Sequence, residues 1–103
     1  MSLRVVYTGR PIVAGEEDRS ITFTEIGVDW AGEGYVLKLR VTDPDCVEVE
    51  YTLDAVVGQT EQGKLSNING VFVQSGIYTL KLICYVGTDP KLISEDYYLY
   101  VRP

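Results

Sequence analysis

Histidine is missing from all 103 residues, and with it go the commonest general base and the commonest metal ligand. Cysteine occurs only twice, so a tetrahedral zinc site cannot be assembled from His and Cys. The longest unbroken apolar runs are a few residues, far short of the ~20 that a membrane-spanning helix needs. Basic residues are scarce: 9 Lys and Arg stand against 15 Asp and Glu, a net charge of −6. The densest charged run, Glu16-Glu17-Asp18, is acidic. Nucleic acids and anionic membranes select clusters of Lys and Arg, so neither is expected as a partner. The first residues lack a signal-peptide pattern, and Met1-Ser2-Leu3 reads as a cloning leader on one domain of a larger protein. These absences leave little for hydrolytic chemistry, and a non-enzymatic role is expected.

What is present is apolar and alternating. With 46% hydrophobic residues the chain is too apolar for disorder. Its length suits one domain, burying roughly 60–70% of the unfolded surface. Odd positions are apolar through Tyr35-Val36-Leu37-Lys38-Leu39-Arg40-Val41-Thr42, and the pattern repeats in Val47-Glu48-Val49-Glu50-Tyr51-Thr52-Leu53. It returns in Tyr78-Thr79-Leu80-Lys81-Leu82-Ile83-Cys84-Tyr85-Val86. A period of two places one set of side chains on each face of a sheet, and Val, Ile, Tyr and Thr suit that surface. No stretch has a 3.6-residue period. Turn residues fall between the runs at Gly32-Glu33-Gly34, Asp43-Pro44-Asp45, Gly58, Gly63, Asn69-Gly70, Ser75-Gly76 and Gly87-Thr88-Asp89-Pro90. Strands are therefore predicted at 3–8, 20–27, 34–42, 46–54, 69–74, 77–87 and 94–101, with a weak one near 56–61. Seven or eight short strands indicate an all-β sandwich, with a small barrel as the alternative. The expected core is Leu37, Leu39, Val41, Val47, Val49, Tyr51, Leu53, Val71, Val73, Tyr78, Leu80, Leu82, Cys84, Leu99 and Val101.

From Tyr35 onward the segments resemble a bacterial immunoglobulin-like repeat, and fibronectin type III sandwiches carry similar strings. The resemblance rests on YVLKLRVTDPD, CVEVEYTLDAVVGQTE, NGVFV, SGIYTLKLICYVGTD and EDYYLYV. Ala55 departs from the pattern by standing where such repeats carry Gly after Asp. The resemblance implies an immunoglobulin-like antiparallel sandwich and a spacer or adhesion-type module in an extracellular or cell-surface protein. It also implies a corner-tyrosine role for Tyr78, its hydroxyl bonding back to the backbone. A carbohydrate- or ligand-binding module and a phage or virion accessory domain are the alternatives.

Under the immunoglobulin strand order, segments 46–54 and 77–87 would be antiparallel neighbours. Cys84 would then share the face of Leu80 and Leu82, and Cys46 that of Glu48 and Glu50. A disulfide needs both Cβ atoms on one face, roughly 3.5–4.5 Å apart, so none is expected. Asp43, Asp45 and Asp89 would gather at one pole, where carboxylates from adjacent loops could begin the shell of about six to eight oxygens that calcium takes. Asp-Pro pairs are equally ordinary turn formers. No other cofactor is expected. Ile83 and Tyr85, flanked by Lys81, would point outward beside Tyr98 and Tyr100 if Tyr97, Leu99 and Val101 face the core. The opposite register would bury both tyrosines. Such a tyrosine face suits a protein partner, a neighbouring domain, a sugar or a second copy in a homodimer, and tyrosine is also simply a good strand residue. Glu48 and Glu50 read as cross-strand partners rather than as a glycosidase pair. Trp30 reads as a core or sandwich-end residue, with a ligand platform as the other use.

Overall fold

A computed structural model describes residues 2–103. The described residues form nine strands in two sheets without a helix. The larger sheet runs in the order β1 (Ile12–Val13), β9 (Tyr97–Arg102), β7 (Gly76–Val86), β3 (Val36–Thr42), β4 (Glu48–Thr52), and β8 (Asp89–Ile93) also pairs with β7. The smaller sheet has the order β2 (Ile21–Phe23), β6 (Gln59–Leu65), β5 (Asp54–Val56). Between them lies a core that includes Phe23, Leu37, Leu39, Leu65, Phe72, Tyr78, Leu80, Leu82 and Val101.

The strongest alternating runs make the spine. Seven register pairs join β3 to β7, from Val36↔Tyr85 to Thr42↔Thr79, so Leu37, Leu39 and Val41 meet Cys84, Leu82 and Leu80 on the inner face. All six are buried. Tyr78 follows the bend at Gly76. Its hydroxyl donates to the Gln74 carbonyl at 2.8 Å, the corner bond implied by the resemblance, and its ring meets Phe72 edge-on at 5.1 Å.

The predicted segment 46–54 divides in two. Glu48–Thr52 stays in the large sheet, Leu53 turns inward with its N–H on the Leu37 carbonyl at 2.9 Å, and β5 begins at Asp54 in the other sheet. Ala55 therefore lies in a strand, and the tight turn is Val57-Gly58, where Gly58 takes φ +78. Val47 and Val49 leave the expected core, at 55% and 46% exposed. Val49 pairs with buried Val41, yet β4 is an outer strand and the three-stranded sheet opposite is narrower, so the edge overhangs. Gly63 was expected at a turn and lies within β6. A Cβ there would stand 2.7 Å from a Leu37 methyl, so glycine lets the sheets close up.

Other boundaries shift as well. Residues 69–74 are not a strand: Asn69-Gly70-Val71 turns, Phe72 buries its ring, and Val73 is 63% exposed rather than core. Residues 3–8 form no ladder either, although Leu3 and Val5 are buried and the Arg4 N–H reaches the Ile26 carbonyl at 2.9 Å. Of the expected leader, Leu3 is thus a core residue and Met1 lies outside the described residues. The strand β8 falls where a turn followed by a later strand was predicted. It tolerates Pro90 because it is an edge strand with a register shift opposite Cys84/Tyr85.

Where β7 exchanges β9 for β8 along one edge, the ladder leaves a gap. Ser94, a buried polar residue, fills it: its hydroxyl accepts the Leu82 N–H at 2.8 Å and donates to the Glu95 carbonyl at 3.0 Å. The start of the chain is held by side chains instead. Arg19 donates to both Glu16 oxygens at 3.1 and 3.2 Å, to the carbonyls of Pro11 and Arg10, and to the Tyr7 hydroxyl.

Candidate functional site

Alternation sorts the large sheet into a core face and an outer face. Outward from β7 point Ile77, Thr79, Lys81, Ile83 and Tyr85; beside them lie Lys38, Arg40 and Thr42 of β3, then Glu48 and Glu50 of β4. On the other flank Tyr98 stands opposite Thr79 and Tyr100 opposite Ile77. The outward register of the last strand holds: Tyr98 is 68% exposed, Tyr100 55% and Ile77 54%.

The four expected surface residues do not form one patch. Ile83 is fully buried and leaves the surface. It sits mid-sheet between Lys38 and Ile93 across the ladder, with Lys81 and Tyr85 on either side along β7. Tyr85 lies six positions along β7 from the Tyr98 pairing, about 20 Å at ~3.3 Å per residue. It is engaged there: its hydroxyl donates to Glu50 at 3.2 Å, and Lys38 Nζ stands 5.2 Å from its ring centre. Glu50 in turn accepts from Arg40 Nε and Nη2 at 3.1 and 2.8 Å. The Arg40 hydrogen bonds, followed by that of Tyr85, hold the Glu50 carboxyl below its ordinary value despite partial burial. Glu50 is thus a cross-strand ion-pair partner. Lys81 pairs with Asp96 at 3.2 Å rather than with the glutamates.

Between this charged lattice and the tyrosines lies a depression of about 180 Å³, lined by Arg40, Thr42, Glu48, Thr79, Lys81 and Asp96. The exposed apolar group of Ile77, Tyr98 and Tyr100 therefore borders charges of both signs. Ile77 is the member that sequence reasoning missed. The alternation Ile77/Tyr78 carried the signal, since placing Tyr78 inward puts Ile77 outward.

The aspartates do not converge. Asp43 and Asp45 follow the end of β3, where Thr42 meets Thr79, while Asp89 pairs with Val86 at the opposite end of β7. Antiparallel pairing of β3 and β7 sends their following loops to opposite poles. Asp43 already accepts the N–H groups of Asp45 and Val47, both at 2.9 Å, and Asp45 accepts from the Gln74 amide. These are turn-forming roles. The cysteines are free, Cys46 exposed and Cys84 buried. They do not stand on neighbouring strands, because β3 lies between β4 and β7. Burial pushes the Cys84 thiol up to about 11. Cys46 sits in the Asp43 turn with φ +65. Trp30 is buried in the core and donates to the Gln62 carbonyl at 3.0 Å, which removes it as a platform.

A second concavity had no counterpart in the sequence. A groove of about 590 Å³ runs between residues 2–5 and the edge of β8, lined on that side by Leu92, Ile93, Glu95 and Asp96. Among known proteins, no family model, no curated sequence and no solved structure matches this chain.

Proposed function

We propose that this domain acts without catalysis, as an interaction module of an extracellular or surface protein, through Ile77, Tyr98 and Tyr100. The observation that carries this reading is their joint exposure on adjacent strands of one outer face. Tyrosine brings large contact area and a polar tip at small entropic cost, and interface centres are aromatic with polar rims. The charged depression beside Tyr98 supplies such a rim. The framework supports an immunoglobulin-like reading: the order β9-β7-β3-β4 facing β2-β6-β5 parallels the G-F-C-C′ and B-E-D strands of that architecture, with Tyr78 at the corner position. A protein partner is favoured, with a second copy of the chain as its simplest form.

The test is solution mass by size-exclusion chromatography with light scattering, for wild type and for Tyr98→Ser/Tyr100→Ser. A wild-type dimer that becomes a folded monomer in the variant supports the surface. Monomers in both remove the homodimer, and a glycan array then separates the remaining uses. Glycan binding lost in the variant would replace the protein partner by a sugar. Glycan binding retained in the variant would overturn the tyrosine surface.

A further inference from the structure

We propose that the groove between residues 2–5 and β8 is a strand-addition site, taking an extended peptide with basic flanks. The argument starts from backbone groups. The Ser94 N–H bonds the Leu82 carbonyl at 2.9 Å, the single backbone bond that flanks the Ile83↔Ile93 pair on that side, the Leu82 N–H going to the Ser94 hydroxyl. Hydrogen-bonded and non-bonded pairs alternate. The pair Ile93↔Ile83 is therefore non-bonded, and the N–H and carbonyl of Ile93 point away from β7. Ile93 lines the groove and is 57% exposed.

The opposite wall follows the same logic. Arg4 directs its N–H to Ile26 at 2.9 Å, and the Ser2 carbonyl lies so close to Gly27 that a Cβ there would stand 2.6 Å away. Burial alternates through this segment, with Leu3 and Val5 inside and Ser2 and Arg4 outside, as in an extended chain. With Arg4 turned to residue 26, the backbone groups of Leu3 and Val5 turn the other way, towards the groove. Two extended walls thus face each other across open space, each with backbone groups to offer. An unpaired strand edge recognises another extended backbone before any side chain.

Size and charge narrow the occupant. Residues 2–5 run along one wall of the groove, about 13 Å at the ~3.3 Å rise of an extended chain, so a run of three to four extended residues matches that wall. Leu92 and Ile93 give the β8 wall aliphatic character. Of the charged lining residues, Arg4 lies on the wall of residues 2–5 and donates to the Glu25 carbonyl, Asp96 is paired with Lys81, and Glu95 makes no salt bridge among the described residues, so Glu95 is the carboxylate open to a cation. On a chain of net charge −6, Lys or Arg beside the inserted run matches Glu95.

The probe is a capped hexapeptide of four alternating Val and Thr residues between two Lys, beside the same peptide N-methylated along its backbone. Amide NMR should show shifts confined to residues 3–5 and 92–96. The Ile93 amide should exchange rapidly in the free protein and slowly with peptide bound. The methylated peptide should be silent. Ile93→Pro, which removes a donor that β7 does not use, should abolish binding, and Glu95→Lys should weaken it about two- to fivefold, the scale of an exposed charge pair. A slowly exchanging Ile93 amide in the free protein would overturn the proposal. So would shifts elsewhere, no shifts at millimolar peptide, or equal binding of the methylated peptide. If Ile93→Pro fails to fold, the methylated peptide and Glu95→Lys decide alone.

Discussion

Between Val36 and Arg102 the domain is tied largely by ladders, whereas between Ser2 and Arg19 it is tied by side chains. In the first region β7 pairs with β3 over seven residues and carries β9 and β8 along its other edge. In the second the only strand is two residues long, and Arg19, Glu16, Arg10 and Tyr7 interlock around it. A ladder distributes its hold over many equivalent backbone bonds. A guanidinium concentrates it in one side chain. The two regions should accordingly fail in different ways when a residue is changed.

The largest effect should come from the ladder region's core. Leu39→Ala, at a fully buried position between β4 and β7, should cost about 2–5 kcal/mol and lower stability of the whole domain in urea unfolding. Arg19→Met should cost less, about 1.5–3 kcal/mol from hydrogen bonds to a charged group. It should act locally, speeding amide exchange in residues 3–14 while β3 and β7 stay protected. Uniform loss of protection would break the distinction between the regions. Ser94→Ala leaves the Leu82 N–H without its acceptor, and about 1–2 kcal/mol should be lost, read from thermal unfolding against wild type.

The smallest effect is on the outer face. Glu50 has a folded carboxyl value below its unfolded one, ordinarily 4.5, so its pairing with Arg40 stabilises fully above that value. The contribution should vanish as pH falls through the lower folded value. Comparing wild type with Arg40→Met from pH 7 to pH 3 should show a difference of about 0.2–1 kcal/mol at neutral pH that closes in acid and shrinks in high salt. A difference independent of pH would assign the effect to packing of the arginine stem.

The same contrast decides what the sequence revealed. Alternation located β3, β4 and β7 to within a residue or two, because each presents one face to a core and one to solvent. It also oriented Tyr98 and Tyr100 correctly. It failed at Val49, because alternation reports which face a residue takes and says nothing of whether another sheet covers that face. It failed at Ile83 for the converse reason, an outward-register residue that is buried in mid-sheet, flanked by strands on both sides. The residues 3–8 alternate without pairing, since their backbone finds Ile26 once and no ladder. Pro90 hid β8, as proline punctuates turns and edge strands alike. The groove beside β8 was illegible because both of its walls were misassigned. The pole expected for Asp43, Asp45 and Asp89 dissolved once β3 and β7 proved to be direct antiparallel neighbours.

The parallel pairing of β1 with β9 carries a mechanical consequence. Ile12 and Val13 lie against Val101 and Arg102 with both strands running the same way. Tension entering through the amino end of β1 and leaving through the carboxyl end of β9 pulls these strands past each other along their length. Their hydrogen bonds, together with that from the Ala14 N–H to the Arg102 carbonyl, share the load in shear instead of parting one at a time. Ahead of that short clamp, once the Arg4–Ile26 bond and the buried Leu3 and Val5 give way, the knot of Arg10, Glu16 and Arg19 bears the pull. In a chain under tension the polar knot would act as a fuse, releasing the opening residues while the β3–β7 spine stays folded.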